Sequence, residues 1–205
     1  MDRYFAWFGL KGSLVLTVLL SAFALALAAV SSSTVRWLCF AAMLMSSIGD
    51  IFLMHFQVIE RHVPNDFAAG AGCFMLAHLL YTACFGRKIS AAGFGYFNGG
   101  TAAALAIAAG CLIYFLFVCG NRSQLPLALI YLAIILLNCA TVFSYAWSRG
   151  IGSPLALLAA VGAVCFLASD LVIGLGVLVN EHRFDYLIWW LYPIGQILLI
   201  VGADG

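Results

Sequence analysis

The stretch Pro154–Val179 reads PLALLAAVGAVCFLASDLVIGLGVLV. It holds one charged residue, Asp170, in a run longer than the ~20 apolar residues that cross the hydrocarbon core of a bilayer. A carboxylate at such a depth costs roughly 2.5–3.5 kcal/mol on insertion scales, so it should have a partner or a task. Upstream, MLMSSIGDIFL (Met43–Leu53) poses the same question with Asp50.

The rest of the chain repeats the pattern. Of 205 residues 65% are hydrophobic and only 8% charged, and the mean hydropathy is +1.11. A soluble domain of this size needs more charge to cover its surface, whereas lipid-facing helices need none. Apolar runs of spanning length are Ser13–Val30, Val35–Met54, Phe67–Phe85, Gly99–Cys119, Leu125–Trp147, Pro154–Val179 and Tyr186–Val201. Short polar connections such as GRKIS, GNRSQ and NEHRFD separate them. The predicted fold is an all-α, polytopic transmembrane helix bundle of about seven helices, forming a single domain over residues 1–205.

The first run follows Arg3 and Lys11 and has the outline of a signal peptide. It exceeds the usual h-region and no soluble domain follows it, so it is read as a membrane helix. The net charge of +1 offers no basic patch, which argues against a nucleic-acid partner. Lys and Arg residues divide almost evenly between the two sets of loops, so the positive-inside rule assigns no orientation. All seven cysteines lie in apolar runs without a CxxC pair and read as small packing residues.

Few ionisable groups remain inside the runs: Asp50, His78 and Asp170. Around them stand Ser46, Ser47, Tyr81, Ser169, Tyr192 and Gln196, with Tyr131 and Asn138 on the fifth segment. Such groups should turn away from lipid and meet one another. Asp50 lies 15 residues past Val35 and Asp170 16 past Pro154, so both should be roughly 22–24 Å along parallel helices. His78 should lie roughly 17 Å along the antiparallel third helix. There Phe67, Gly70, Phe74, His78, Tyr81 and Phe85 step by three and four to make one stripe. His78, Asp50 and Asp170 could supply three metal ligands, but His55, His62 and His182 show no HxxxH spacing, so no metal site is expected.

Four motifs in order then point to a family. They are Gly49-Asp50, FAAGAGCFMLAHLLYTACF (Phe67–Phe85), GAVCFLASD (Gly162–Asp170) and YPIGQILL (Tyr192–Leu199). Together they resemble the YhhN family of multi-pass membrane proteins, which includes the lysoplasmalogenases. Family members commonly carry one more helix before a Lys-Pro; here Lys11-Gly12 stands near that position and the proline is missing. The resemblance implies hydrolysis of the vinyl ether bond of lysoplasmalogens, releasing a fatty aldehyde and a glycerophospho-alcohol. Carried over by motif, Asp50, Asp170 and His78 are the expected catalytic residues, and Tyr81, Ser169, Tyr192 and Gln196 the expected substrate-binding shell. No cofactor is implied.

The chemistry suits the residues. A vinyl ether is cleaved by protonation at carbon, which needs an acid, and water capture, which needs a base. Of two neighbouring carboxyls in apolar surroundings, one keeps its proton while the other stays ionised. The implied partner is a lysophospholipid entering from the bilayer, and the implied location is the inner membrane of a bacterium. A small transporter or lipid-binding protein, using the same aspartates as proton or cation sites, is the alternative.

Overall fold

The computed structural model describes residues 3–31, 33–53, 61–150 and 152–204. Among the described residues there are seven α-helices: α1 (Arg3–Ser31), α2 (Thr34–Leu53), α3 (Asp66–Ala91), α4 (Gly99–Val118), α5 (Leu125–Arg149), α6 (Pro154–Val179) and α7 (Ile188–Asp204). A 3₁₀ turn, Asp185–Leu187, leads into α7. Among the described residues there are no strands. Six of the helical segments, all but α1, have the length and hydropathy to cross a bilayer, the last counted from Asp185; α1 carries the shorter apolar stretch Leu14–Val30. The chain is a multi-pass membrane protein.

Local chemistry sets the helix ends. Asn98 caps α4, its side-chain oxygen accepting from the backbone N–H of Gly100 and Thr101. Pro126 and Pro154 stand in the first turns of α5 and α6, where a missing N–H costs nothing. Asn180 ends α6 in the left-handed region, at φ 59°.

Two boundaries differ from the sequence expectation. Helix α1 reaches back to Arg3, so Arg3 and Lys11 are helical. GRKIS, expected as a loop, is helical and continues α3 to Ala91. Lys88 explains the second difference: its Nζ donates to the Ala203 carbonyl at 2.7 Å and lies 5.2 Å from the Tyr145 ring centroid. A cation serving the free carbonyls of another helix end stabilises a helical turn that a charge count alone would call loop.

The helices group into two compact units, Met1–Cys84 and Phe85–Gly205. In the first, α1 packs on α2, and α2 runs antiparallel to α3. Leu53 packs against Gly70, and the Phe74 ring fills the space beside Gly49. Further along, the sulfurs of the buried Cys39 and Cys84 lie 3.3 Å apart as thiols. In the second unit, α4 packs on α5, α5 on α6, and α6 on α7. Helix α4 turns most of its apolar surface outward, including Leu105, Ile113, Leu116 and Phe117, as a lipid-facing helix does.

The α6–α7 seam is lined with small residues. A Cβ at Gly162 would stand 2.9 Å from the Gly195 carbonyl oxygen, and one at Gly195 would stand 2.9 Å from the Phe166 nitrogen. Such close approach of backbones replaces the hydrophobic drive that lipid cannot supply between membrane helices.

Candidate functional site

In the first unit the residues of interest come from three helices. On α2, Cys39, Met43, Ser46, Ser47 and Asp50 are buried and recur at helical spacing. On α1, Thr17, Ser21, Ala24 and Ala28 are buried, while Val15, Val18, Leu19 and Phe23 face outward. These two inner stripes meet through hydroxyls. Thr17 Oγ1 is 2.8 Å from Asp50 Oδ2, and Ser21 Oγ is 3.0 Å from Ser47 Oγ. Ser21 Oγ also donates to the Thr17 carbonyl at 2.8 Å.

The expected stripe on α3 is present. Gly70, Phe74, His78, Tyr81 and Phe85 are all buried. The facing pairs Leu53/Gly70, Gly49/Phe74 and Cys39/Cys84 fix the antiparallel register of α2 and α3. Phe74 is level with Gly49, so Asp50 is level with the preceding residue and His78 is displaced from it by roughly 7 Å at ~1.5 Å per residue. A buried, half-polar face therefore runs from Asp50 past His78 to Tyr81.

In the second unit, Asp170 lies on α6 facing α5. Tyr131 Oη donates to Asp170 Oδ2 at 3.0 Å. Eight residues on, the Cys139 thiol reaches the Ala163 carbonyl at 3.8 Å, so the two helices stay antiparallel and in contact over that length. Ser169, three residues past Phe166, shares the helix face that Phe166 turns to the α6–α7 seam. There Phe166 meets Tyr192 edge-on, with ring centroids 5.3 Å apart. One turn past Phe166, Ser169 is fully buried, and its Oγ has no hydrogen-bond partner among the described residues. Tyr192 and Gln196 are buried on the facing side of α7. A buried hydroxyl without a partner is a position open to a ligand or water donor.

His55 lies outside the described residues. His62 stands in the turn before α3. His182 sits in the α6–α7 loop, 3.1 Å from Asp185 Oδ2. In that loop, hydrogen bonds from Arg183 hold the Glu181 carboxyl below its ordinary range. Within either unit, no three described His, Cys, Asp or Glu side chains are gathered as metal ligands would be.

Two partnerships escaped the sequence. Thr17 and Ser21 are small polar residues one helical turn apart in the first apolar run; that spacing was the available signal. Tyr131 was among the polar candidates, but nothing in the sequence paired it with Asp170.

Known proteins are similar to this chain in sequence. The YhhN family model matches residues 10–203. Similar curated proteins include one named lysoplasmalogenase in Mycobacterium bovis and another of that name in Mycobacterium tuberculosis. Each is 30% identical over 178 residues, covering 82% of this chain and 60% of the relative. The chain thus spans 60% of the length of these curated relatives. No solved structure gives a significant match. With Gly49-Asp50, the α3 stripe, the segment ending in Asp170 and the start of α7 all inside the matched residues, the chain belongs to the YhhN family.

Proposed function

We propose that this protein hydrolyses the vinyl ether bond of lysoplasmalogens, with Asp50 and Asp170 as the acid–base pair. The observation that carries the reading is the similarity to proteins named lysoplasmalogenase over 82% of the chain. Two carboxyl groups inside apolar helices, each hydrogen-bonded to a hydroxyl, support it.

The reaction runs in three steps. One carboxyl delivers its proton to the vinyl carbon distal to the ether oxygen, leaving an oxocarbenium ion beside the resulting carboxylate. The other carboxylate takes a proton from water as the water oxygen bonds to the cationic carbon, giving a hemiacetal. The carbon–oxygen bond to the glycerol then breaks, the hydroxyl proton passes to the departing oxygen, and aldehyde and alcohol leave. One water is consumed and no redox change occurs. General acid and base groups of this kind typically contribute about 10²–10⁴-fold each, and a fixed carboxylate beside the cation stabilises the charged intermediate.

His78 orients one carboxylate or relays its proton. Tyr81, Ser169, Tyr192 and Gln196 form the surrounding shell, with the unpartnered Ser169 hydroxyl offered to the glycerol or phosphate oxygens. The single-chain substrate enters sideways from the bilayer, its tail remaining among apolar side chains. The bacterial origin of the relatives suggests the inner membrane as the location.

Purified protein should release fatty aldehyde from a lysoplasmalogen and no fatty acid from an ester lysophospholipid. Asp50→Asn and Asp170→Asn should each abolish that release while the protein still inserts and stays monodisperse. Binding without turnover by the wild type would favour a lipid carrier, and full turnover by either asparagine variant would remove that aspartate from the chemistry.

A further inference from the structure

Thr17 has no need of a partner on another helix. Hydroxyl residues inside apolar helices routinely satisfy themselves on a carbonyl one turn back. Thr17 Oγ1 has such an acceptor, the Leu14 carbonyl, at 3.1 Å. It nevertheless sits closer to Asp50 Oδ2, at 2.8 Å, and is fully buried. One hydroxyl proton therefore has two acceptors within reach.

We propose that Thr17 is a positioning residue for Asp50, a two-way hydroxyl that hydrogen-bonds this carboxyl in both of its protonation states without moving a heavy atom. When Asp50 is ionised, Thr17 gives its proton to Oδ2, the stronger acceptor because it carries charge. When Oδ2 carries the proton, the carboxyl donates to Thr17 Oγ1, and the threonine proton turns to the Leu14 carbonyl. Only hydrogen atoms rotate. A group that gives up and regains a proton every cycle gains from such an arrangement, because preorganised dipoles need no rearrangement as charge changes. The inference rests on the assignment of Asp50 as one of the two reacting carboxyls.

The same geometry makes the idea testable without dismantling the fold. Ser21 and Ser47 tie α1 to α2 one turn away, and Ala24 and Ala28 continue the contact face. Loss of the Thr17 hydroxyl leaves those contacts in place. Valine keeps the shape of threonine and lacks the hydroxyl; serine keeps the hydroxyl and lacks the methyl.

Wild type, Thr17→Val and Thr17→Ser should be compared in lipid nanodiscs by two measurements. One is the kinetics of aldehyde release from a lysoplasmalogen. Thr17→Val should lower kcat by about 10- to 100-fold with KM within about twofold, the range for losing a hydrogen bond to a charged group. Thr17→Ser should recover kcat to within about threefold of wild type, because both hydrogen bonds remain. The other is the infrared band of the Asp50 carboxyl, identified by its loss in Asp50→Asn, which should shift in Thr17→Val and stay in place in Thr17→Ser.

An unmoved Asp50 band in Thr17→Val overturns the contact even in an active enzyme, and wild-type kcat in that variant overturns the positioning role. A band that shifts in Thr17→Val, from a wild type that releases no aldehyde, supports the contact and removes the catalytic reading of Asp50 instead.

Discussion

Tyr131 donates from its phenol oxygen to Asp170 Oδ2 across 3.0 Å, joining α5 to α6 where α6 carries its one charged residue. A phenol is a stronger donor than an aliphatic hydroxyl, and its bond to a carboxylate is charge-assisted. Tyr131→Phe removes this donor and keeps the ring. If Asp170 works as proposed, aldehyde release should fall by about 10- to 100-fold, the kinetic equivalent of one charge-assisted hydrogen bond. Thermal stability separates the contact from packing: Tyr131→Phe should cost less stability in an Asp170→Asn background than in wild type, because residues acting as a unit are not additive. Equal effects in both backgrounds would show that Tyr131 serves packing alone.

The glycines of the α6–α7 seam should be intolerant in a way that an exposed helical glycine is not. A Cβ at Gly162 or Gly195 meets backbone atoms at 2.9 Å, and backbone cannot swing aside as a side chain can. Gly162→Ala and Gly195→Ala should each destabilise by about 1–3 kcal/mol, the usual cost of overpacking. On exposed α4, a Cβ at Gly110 meets nothing within 4 Å. Gly110→Ala should therefore be neutral or stabilising by up to about 1 kcal/mol, since alanine favours helix. Unfolding of the three variants in one detergent, followed by tryptophan fluorescence, gives the comparison directly.

The helices were legible because a lipid solvent leaves the chain little choice: every span must be long, apolar and internally hydrogen-bonded. Misreadings fell at the ends. Arg87 and Lys88 looked like loop residues because their charge is visible in the sequence and the Ala203 carbonyl that Lys88 serves is not. The site divides in the same way. Asp50, His78 and Asp170 stood out because ionisable groups are costly and scarce in such helices. Thr17 did not, since threonine is common in membrane helices and can satisfy itself locally. The cost of a polar group in lipid told that Tyr131 and Ser169 would turn inward, but not which side chain would stand opposite.

Glu181 and Arg183 form an exposed pair beyond the end of α6, with Arg183 Nη2 2.9 Å from Glu181 Oε2. The Arg183 side chain first, and its backbone N–H next, hold the Glu181 carboxyl below the ordinary carboxylate range. A lowered folded-state value adds stability above the unfolded value and loses it as pH falls through the folded one. Solvent screens both groups, so the contribution should be small. Glu181→Gln should therefore melt only slightly below wild type at neutral pH, and the two melting curves should converge as pH falls below the normal glutamate range. A large separation at neutral pH would mean that the pair anchors the α6–α7 loop.

Asn98 performs two tasks at the start of α4, and substitutions can separate them. Its Oδ1 accepts from Gly100 N at 2.9 Å and Thr101 N at 3.3 Å, satisfying donors that a helix start leaves open. Its Nδ2 donates toward α5, with the Ser144 carbonyl at 3.0 Å and Ser148 Oγ at 3.0 Å. The crossing there is tight, because a Cβ on Gly100 would overlap the Phe143 carbonyl. Asn98→Ala loses both tasks and should cost more than the about 1 kcal/mol typical of a lost cap. Asn98→Asp keeps the cap and adds a favourable charge at the helix start, yet it turns an acceptor toward the Ser144 carbonyl where a donor stood. Its melting temperature should therefore fall between those of wild type and Asn98→Ala. An aspartate variant as stable as wild type would show that capping alone holds this corner, with the bonds to α5 contributing nothing measurable.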